Sequence, residues 1–424
     1  MSMLIKNARI IDPSGELDRT GDIFIESEEI SEIGENLENK ADKVIDASGL
    51  IAAPGLVDMH VHTREPGYTY KDDICSVSEA AAAGGVTMIA AMPNTDPVVD
   101  SVETLEFIRE KALQACVKVL PVASVTKNGC DSSLVDFGAL KNAGAVAFSN
   151  DGVCITDSKT FYDALEQASW YNVPLLAHCE DTSLSGGGIV NEGIVSAALG
   201  VKGNPFTAEN VGTARDLMIA RSTSAQIHVC HVSTSTAVDI IKFARKNGVR
   251  VTAETCPQYF MLNDELLLNQ DADYRCNPPI RSEMDKRAII RAIMDGTIDV
   301  IATDHAPHSP EEKSKFFTAP NGVIGLETSL AAGITALVNK GYITMFKLLY
   351  MMSTVPAQIL GVNAGSLKTG SQADIVVFNP DEKWTVDAEK LHGRAKNTPF
   401  KGMELTGRVK FTIRCGKIIY EDKR

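Results

Sequence analysis

The chain has 424 residues, is 44% hydrophobic and carries a formal net charge of -14 at pH 7. That length suffices for one large α/β domain with a smaller companion. The acidic balance, with no Lys/Arg-rich block, excludes nonspecific nucleic-acid or anionic-membrane binding, so an anionic small substrate would need a local basic pocket.

No apolar run reaches the roughly 20 residues that a membrane helix requires, and MSMLIKNARI lacks the pattern of a secretory leader. Nine cysteines scattered from Cys75 to Cys415, with no C-x-x-C pair, suit reduced thiols in a cytoplasm better than disulfides or a thiolate zinc site.

Residues 1–53 alternate apolar and polar positions between turn signals, as half-buried strands do. Strand-like apolar runs then recur at 56–62, 86–94, 117–125, 145–151, 174–180, 226–233, 250–257 and 299–307. Helix-like segments stand between them, such as SVETLEFIREKALQA, DSKTFYDALEQASWY and STAVDIIKFARKNG, with Ser or Asp at the start. Eight strand-then-helix units close most simply as an α/β (β/α)8 TIM-type barrel. From about 366 to 424 the strand-like alternation returns. The expected organisation is therefore a barrel over 54–365 and one small β-sandwich domain assembled from 1–53 and 366–424.

Chemistry concentrates at the ends of the barrel runs. In DMHVHTREPG, alternation along a strand places Asp58, His60 and His62 on one face, so two imidazoles can grip one metal ion. Alone, such a pair could equally be two hydrogen-bonded interior histidines. Later runs end in Asp151, His178, His231 and Asp304. In a barrel of this kind the strand C-termini converge on one mouth, which brings these residues to His60 and His62. Four imidazoles with carboxylates suit zinc better than magnesium. Six protein ligands exceed what one tetrahedral zinc with an open position takes, so two zinc ions sharing a bridging carboxylate are expected.

DMHVHTREPG together with ATDHAPHSPEEK resembles the paired signatures of dihydroorotases, members of the amidohydrolase superfamily. The likeness extends over the chain through MPNTDP, FSNDGV, AHCED, HVST and RCNPPIR. It implies that His60, His62 and Asp304 hold one metal and that His178 and His231 hold the other. It also implies an Asp151 bridge, as in the bacterial branch with an aspartate where many relatives use a carboxylated lysine. Lys127 falls one strand early for that role and reads as a solvated charge. Arg64, Asn94 and His308 would bind the substrate carboxylate and Asn277 the ring, an Arg fork matching a carboxylate. His228 is set aside as facing opposite His231, His305 as lying between Asp304 and the next turn, and His392 as part of the terminal domain.

The function implied is zinc-dependent, reversible cyclisation of N-carbamoyl-L-aspartate to L-dihydroorotate in pyrimidine biosynthesis. A metal-bridging hydroxide would be the nucleophile and Asp304 the general acid/base. Residues 308–325, long for a βα loop, resemble the family's substrate-covering lid. A cytoplasmic homodimer, with a possible aspartate transcarbamoylase association, is the expected setting. The other readings are a hydantoinase or allantoinase, or a non-catalytic scaffold for the transcarbamoylase.

Overall fold

The computed structural model describes residues 2–38, 40–130 and 133–423. Residues 1, 39 and 424 of the terminal segments lie outside that set.

The eight apolar runs form eight parallel strands. They are β1 (Leu56–Val61), β2 (Val86–Ala91), β3 (Lys118–Ser124), β4 (Ala147–Ser149), β5 (Leu175–Ala177), β6 (Ile227–Val229), β7 (Val251–Thr255) and β8 (Val300–Ile301). Each pairs with the next in chain order. Val61 bridges to His305 in parallel and the His62 N–H donates to the His305 carbonyl at 2.8 Å, closing the ring between β1 and the segment after β8. The strands are buried along almost their whole length because both faces of a parallel sheet are covered. A cluster containing Val57, Met88, Leu120, Val122, Leu176 and Val300 fills the inside. Another joins the strands to the helices through residues such as Ile89, Phe148, Leu105 and Phe161.

The helices start where short polar side chains accept their free N–H groups. Ser101 caps Val102–Ala112, Asp157 caps Ser158–Tyr171, and Thr234 caps Ser235–Lys246. The third cap lies one residue ahead of the Ser that the sequence pattern marks.

Strands Ser2–Asp12, Leu17–Glu26, Glu29–Gly34, Lys43–Asp46 and Ile51–Pro54 join Ile375–Thr385, Glu404–Arg414 and Lys417–Glu421 in one sheet. Ser2–Asp12 pairs along one edge with two strands in turn, Met3–Lys6 with Lys43–Asp46 and Arg9–Ile10 with Ile51–Ala52. That branching lets the sheet enclose a core drawn from both chain ends, including Ile5, Ile23, Ile45, Ile375 and Ile413. Pro54 pairs with Ile375 immediately before β1 begins, so the terminal sheet holds the first barrel strand in place.

Candidate metal centre

β1 does not alternate strictly. Its pairing with β2 shifts register on either side of Val57 and Asp58. Asp58 consequently does not join the imidazoles, contrary to its expected position on their face. Its Oδ1 accepts the backbone N–H groups of His60 at 3.1 Å and Thr303 at 3.3 Å. Burial pushes its carboxyl up to about 7, with the nearby Glu254 charge adding to the rise.

The six expected ligands converge. Asp151 stands at the centre, with Oδ2 3.4 Å from His60 Nε2 and 3.3 Å from His62 Nε2. Its Oδ1 lies 3.5 Å from His178 Nδ1 and 3.3 Å from His231 Nε2. One carboxylate thus faces two imidazole pairs through separate oxygens. Asp304 Oδ1 lies 3.1 Å from His62 Nε2 and 3.5 Å from His60 Nε2. Their donor atoms form two close groups, His60, His62, Asp151 and Asp304 in one and Asp151, His178 and His231 in the other. Lys127 lies exposed in a short turn, Lys127–Gly129, as a solvated charge would.

Backbone strain collects here. His231 (φ 37°), Asp304 (φ 49°) and Arg64 (φ 61°) all occupy left-handed conformations that L side chains avoid. The turn at His231 lets it reach the mouth although β6 ends at Val229.

The donor set fits a divalent metal. His60 Nε2 is fully buried with no hydrogen-bond partner among the described residues, as a lone pair reserved for a cation would be. Burial alone would lower the His60 imidazole, but Asp151, Glu254 and Asp304 raise it well above the ordinary value. Asp151 is pushed up by burial and pulled further down by His60, His178 and His231, to well below the carboxylate range. The potential inside the cluster therefore favours positive charge at the imidazoles, whether carried by protons or by a metal ion.

Around the cluster lies a cleft of about 240 Å³, lined by His62, Asp151, His178 and Asp304 and by the four expected substrate contacts. The buried Arg64 donates from Nε to the Pro307 carbonyl at 3.0 Å, and its Nη2 is 3.4 Å from His308 Nε2. His308 Nε2 is also 2.9 Å from the Asn321 carbonyl in the 308–325 loop. Burial and the cations Arg64, Lys71 and Lys313 push His308 down to about 3, so it is neutral at pH 7. Asn94 Oδ1 is 2.7 Å from His62 Nδ1 and orients that imidazole, while Asn277 Nδ2 and His178 Nε2 both face Glu180 Oε2, at 3.2 and 3.3 Å.

Three residues of this centre escaped the sequence reading. Glu180 Oε2 lies 3.3 Å from His178 Nε2, and burial, His178, Asn277 and Asn204 together leave its carboxyl at about 2. Glu254 contacts His60 from below, and His228 contacts Glu254. His228 was expected to face away from His231. Alternation fails because the chain leaves the sheet after Val229, and both histidines lie on the barrel's inner side. A charge at the fourth place of the otherwise uncharged strand VTAET was the available signal for Glu254.

A (β/α)8 barrel whose mouth gathers four imidazoles around a shared carboxylate defines a metal-dependent hydrolase of the amidohydrolase superfamily. A family model described as Dihydro-orotase-like matches residues 49–237. A dihydroorotase from Clostridioides difficile is 46% identical over 420 residues, covering 99% of each chain. One from Geobacter metallireducens is 46% identical over 424 residues, covering 99% of this chain and all of its own. Among solved structures, the L-hydantoinase (dihydropyrimidinase) from Arthrobacter aurescens aligns with a TM-score of 0.87 at 25% identity, covering 100% of this chain and 96% of its own. This chain belongs to the dihydroorotase family.

Proposed function

We propose that the chain interconverts N-carbamoyl-L-aspartate and L-dihydroorotate, ring closure being the biosynthetic direction, with two zinc ions per subunit. The observation that carries this reading is the cleft itself, which sets a buried guanidinium beside the metal cluster. An anionic cyclic amide would there place its carboxylate on Arg64 and its ring carbonyl at the cluster. The full-length likeness to proteins named dihydroorotase supports the same substrate.

His60, His62 and Asp304 would hold one ion, His178 and His231 the other, with Asp151 joining both. Bound ions of this kind supply Lewis acidity and lower the pKa of a coordinated water. The protein's own groups do the rest. Asp304 faces His62 through Oδ1, with Oδ2 as the oxygen that carries a proton between water and the ring nitrogen. Arg64, Asn94 and His308 orient the carboxylate, and Asn277 reaches the ring.

The 308–325 loop serves as the lid. It is held by the segment carrying Asn277, since Lys313 Nζ donates to the carbonyls of Ala272 and Arg275, and Arg275 Nη1 donates to that of Phe316. Residues 54–365 form the catalytic domain and 1–53 with 366–424 its companion. A cytoplasmic homodimer, able to associate with aspartate transcarbamoylase, completes the proposal.

The test is zinc-loaded protein assayed against dihydroorotate, hydantoin and allantoin, with metal content measured on the same sample. Turnover of dihydroorotate well above the other two is expected. Preference for hydantoin would favour the activity named for the solved structures, and inactivity at full metal loading would reject both.

A further inference from the structure

Beneath the metal cluster lies a buried chain of polar groups that the reaction does not use. Glu254, near the end of β7, has Oε1 2.5 Å from His60 Nδ1 and Oε2 3.2 Å from His228 Nε2. His228 Nδ1 in turn lies 2.8 Å from Thr252 Oγ1, its cross-strand neighbour in the β6 and β7 register. Thr252 and Glu254 are two residues apart, so they share the inner face of their strand. Glu254, His60 and His228 are each 0% exposed.

An ionised carboxylate only accepts hydrogen bonds, so the His60 nitrogen bonded to Glu254 Oε1 must carry hydrogen. This fixes neutral His60 as the Nδ1–H tautomer and leaves its lone pair on Nε2. That nitrogen is the one without a hydrogen-bond partner, 3.4 Å from Asp151 and 3.5 Å from Asp304. His228 Nε2 stands 3.2 Å from Glu254 Oε2 without a hydrogen bond between them, and packs the carboxylate against His60. The other ligands have different support. His62 Nδ1 faces the neutral amide oxygen of Asn94, and His178 Nε2 shares a half-buried Glu180 with Asn277.

We propose that Glu254, packed against His228, is a positioning residue that sets the affinity of the metal position built on His60 and His62, selectively over that built on His178 and His231. A negative oxygen in a dry interior makes the His60 lone pair a stronger donor and forbids the tautomer that cannot ligate. Its contact is with His60 alone among the six ligands, so the effect is confined to one ion. The proposal rests on reading the cluster as a two-metal centre.

The test uses zinc alone. Zinc-loaded wild type and Glu254→Gln are titrated with a competing chelator, and retained zinc is counted per chain. Gln keeps the volume but loses the charge. The first ion of the variant is expected to leave at a chelator concentration about 10- to 100-fold lower, with the second ion unchanged. His178→Asn and His62→Asn backgrounds assign the ion: Glu254→Gln should weaken the single zinc in the first and leave it unchanged in the second. Equal loss of both ions, or wild-type retention of both, overturns the proposal. Should Glu254→Gln fail to fold, His228→Gln decides by the same criterion with a smaller selective loss. A wild-type chain that never takes a second zinc instead overturns the two-metal reading, and this proposal with it.

Discussion

Asp151 can face four imidazoles because it is short and rigidly delivered. Its backbone N–H donates to Ser149 Oγ at 3.0 Å just beyond β4, and the Ser149 hydroxyl donates to the Leu176 carbonyl of β5 at 2.9 Å. The carboxylate therefore hangs from two strands, and neither oxygen can swing from its imidazole pair without the other losing contact. Asp151→Ala is expected to reduce bound zinc below two per chain, measured by metal analysis, and an unchanged stoichiometry would refute the bridge. Asp304 differs because it touches only one imidazole pair, through Oδ1. Asp304→Asn keeps an oxygen for the metal but loses the proton acceptor. Metal content should hold while turnover of dihydroorotate falls by about 10²- to 10⁴-fold, the usual worth of a general acid/base. Near-normal turnover would remove Asp304 from that role.

At the scale of elements, the helix Phe206–Ala220 locks the turns that carry His178 and His231. Its Glu209 accepts the backbone N–H groups of Ser233 and Thr234 at 2.8 and 3.1 Å, while Gly212 lies against the turn after β5. A Cβ on Gly212 would stand 2.6 Å from the Glu180 nitrogen and 2.7 Å from the Cys179 carbonyl carbon. Both are backbone atoms, which cannot give way as a side-chain tip can. Gly212→Ala should therefore cost about 1–3 kcal/mol of stability in urea titration. It should also displace His178 and weaken the His178/His231 ion first, a change that chelator release would register. If stability fell while both ions were held as in wild type, the helix would support the fold without setting the site. The same contact marks the limit of what sequence discloses. Apolar runs ending in His or Asp declared the strands and the six side chains that meet at the mouth, because burial and convergence at a barrel mouth follow from local pattern. Glu209, Gly212 and Lys313 act through partners distant in the chain, and nothing local distinguishes them from a solvated charge or a turn residue. Even a strand's length was misread where the chain exits the sheet: the run 86–94 pairs only over Val86–Ala91, since its last residues bend into the cleft to deliver Asn94.

Across the whole molecule, the join that closes the barrel also bears on acid stability. His305 closes the ring with its carbonyl, and its Nδ1 accepts from the Gly325 N–H at 3.3 Å, which requires an unprotonated nitrogen. Burial, with His62 and Arg64 nearby, pushes His305 down to about 3, alongside His308 at about 3. In the unfolded chain both would titrate near the ordinary imidazole value of 6.5. Between those values the unfolded state binds protons that the folded state refuses, so stability falls as the pH drops from 6.5 toward 3. Each histidine steepens that decline by at most about 1.4 kcal/mol per pH unit. His60 and His178 act in the opposite sense, since burial is outweighed by Asp151 with Glu254 and Asp304 at His60, and by Cys154, Asp151 and Glu180 at His178. With both raised, their contribution is complete below 6.5 and is lost as the pH rises through their folded values. Stripped of metal, the protein should therefore lose stability on both sides of a maximum near neutrality. A cation held by His60 and His178 would take the place of their protons, so zinc loading should restore the alkaline side and leave the acid side to His305 and His308. Melting temperatures at about pH 4.5, 6.5 and 9, with and without zinc, measure this. His308→Asn, which removes one of the two proton-refusing groups, should flatten the acid limb at either metal content. An acid limb as steep as wild type would show that carboxylates alone govern it.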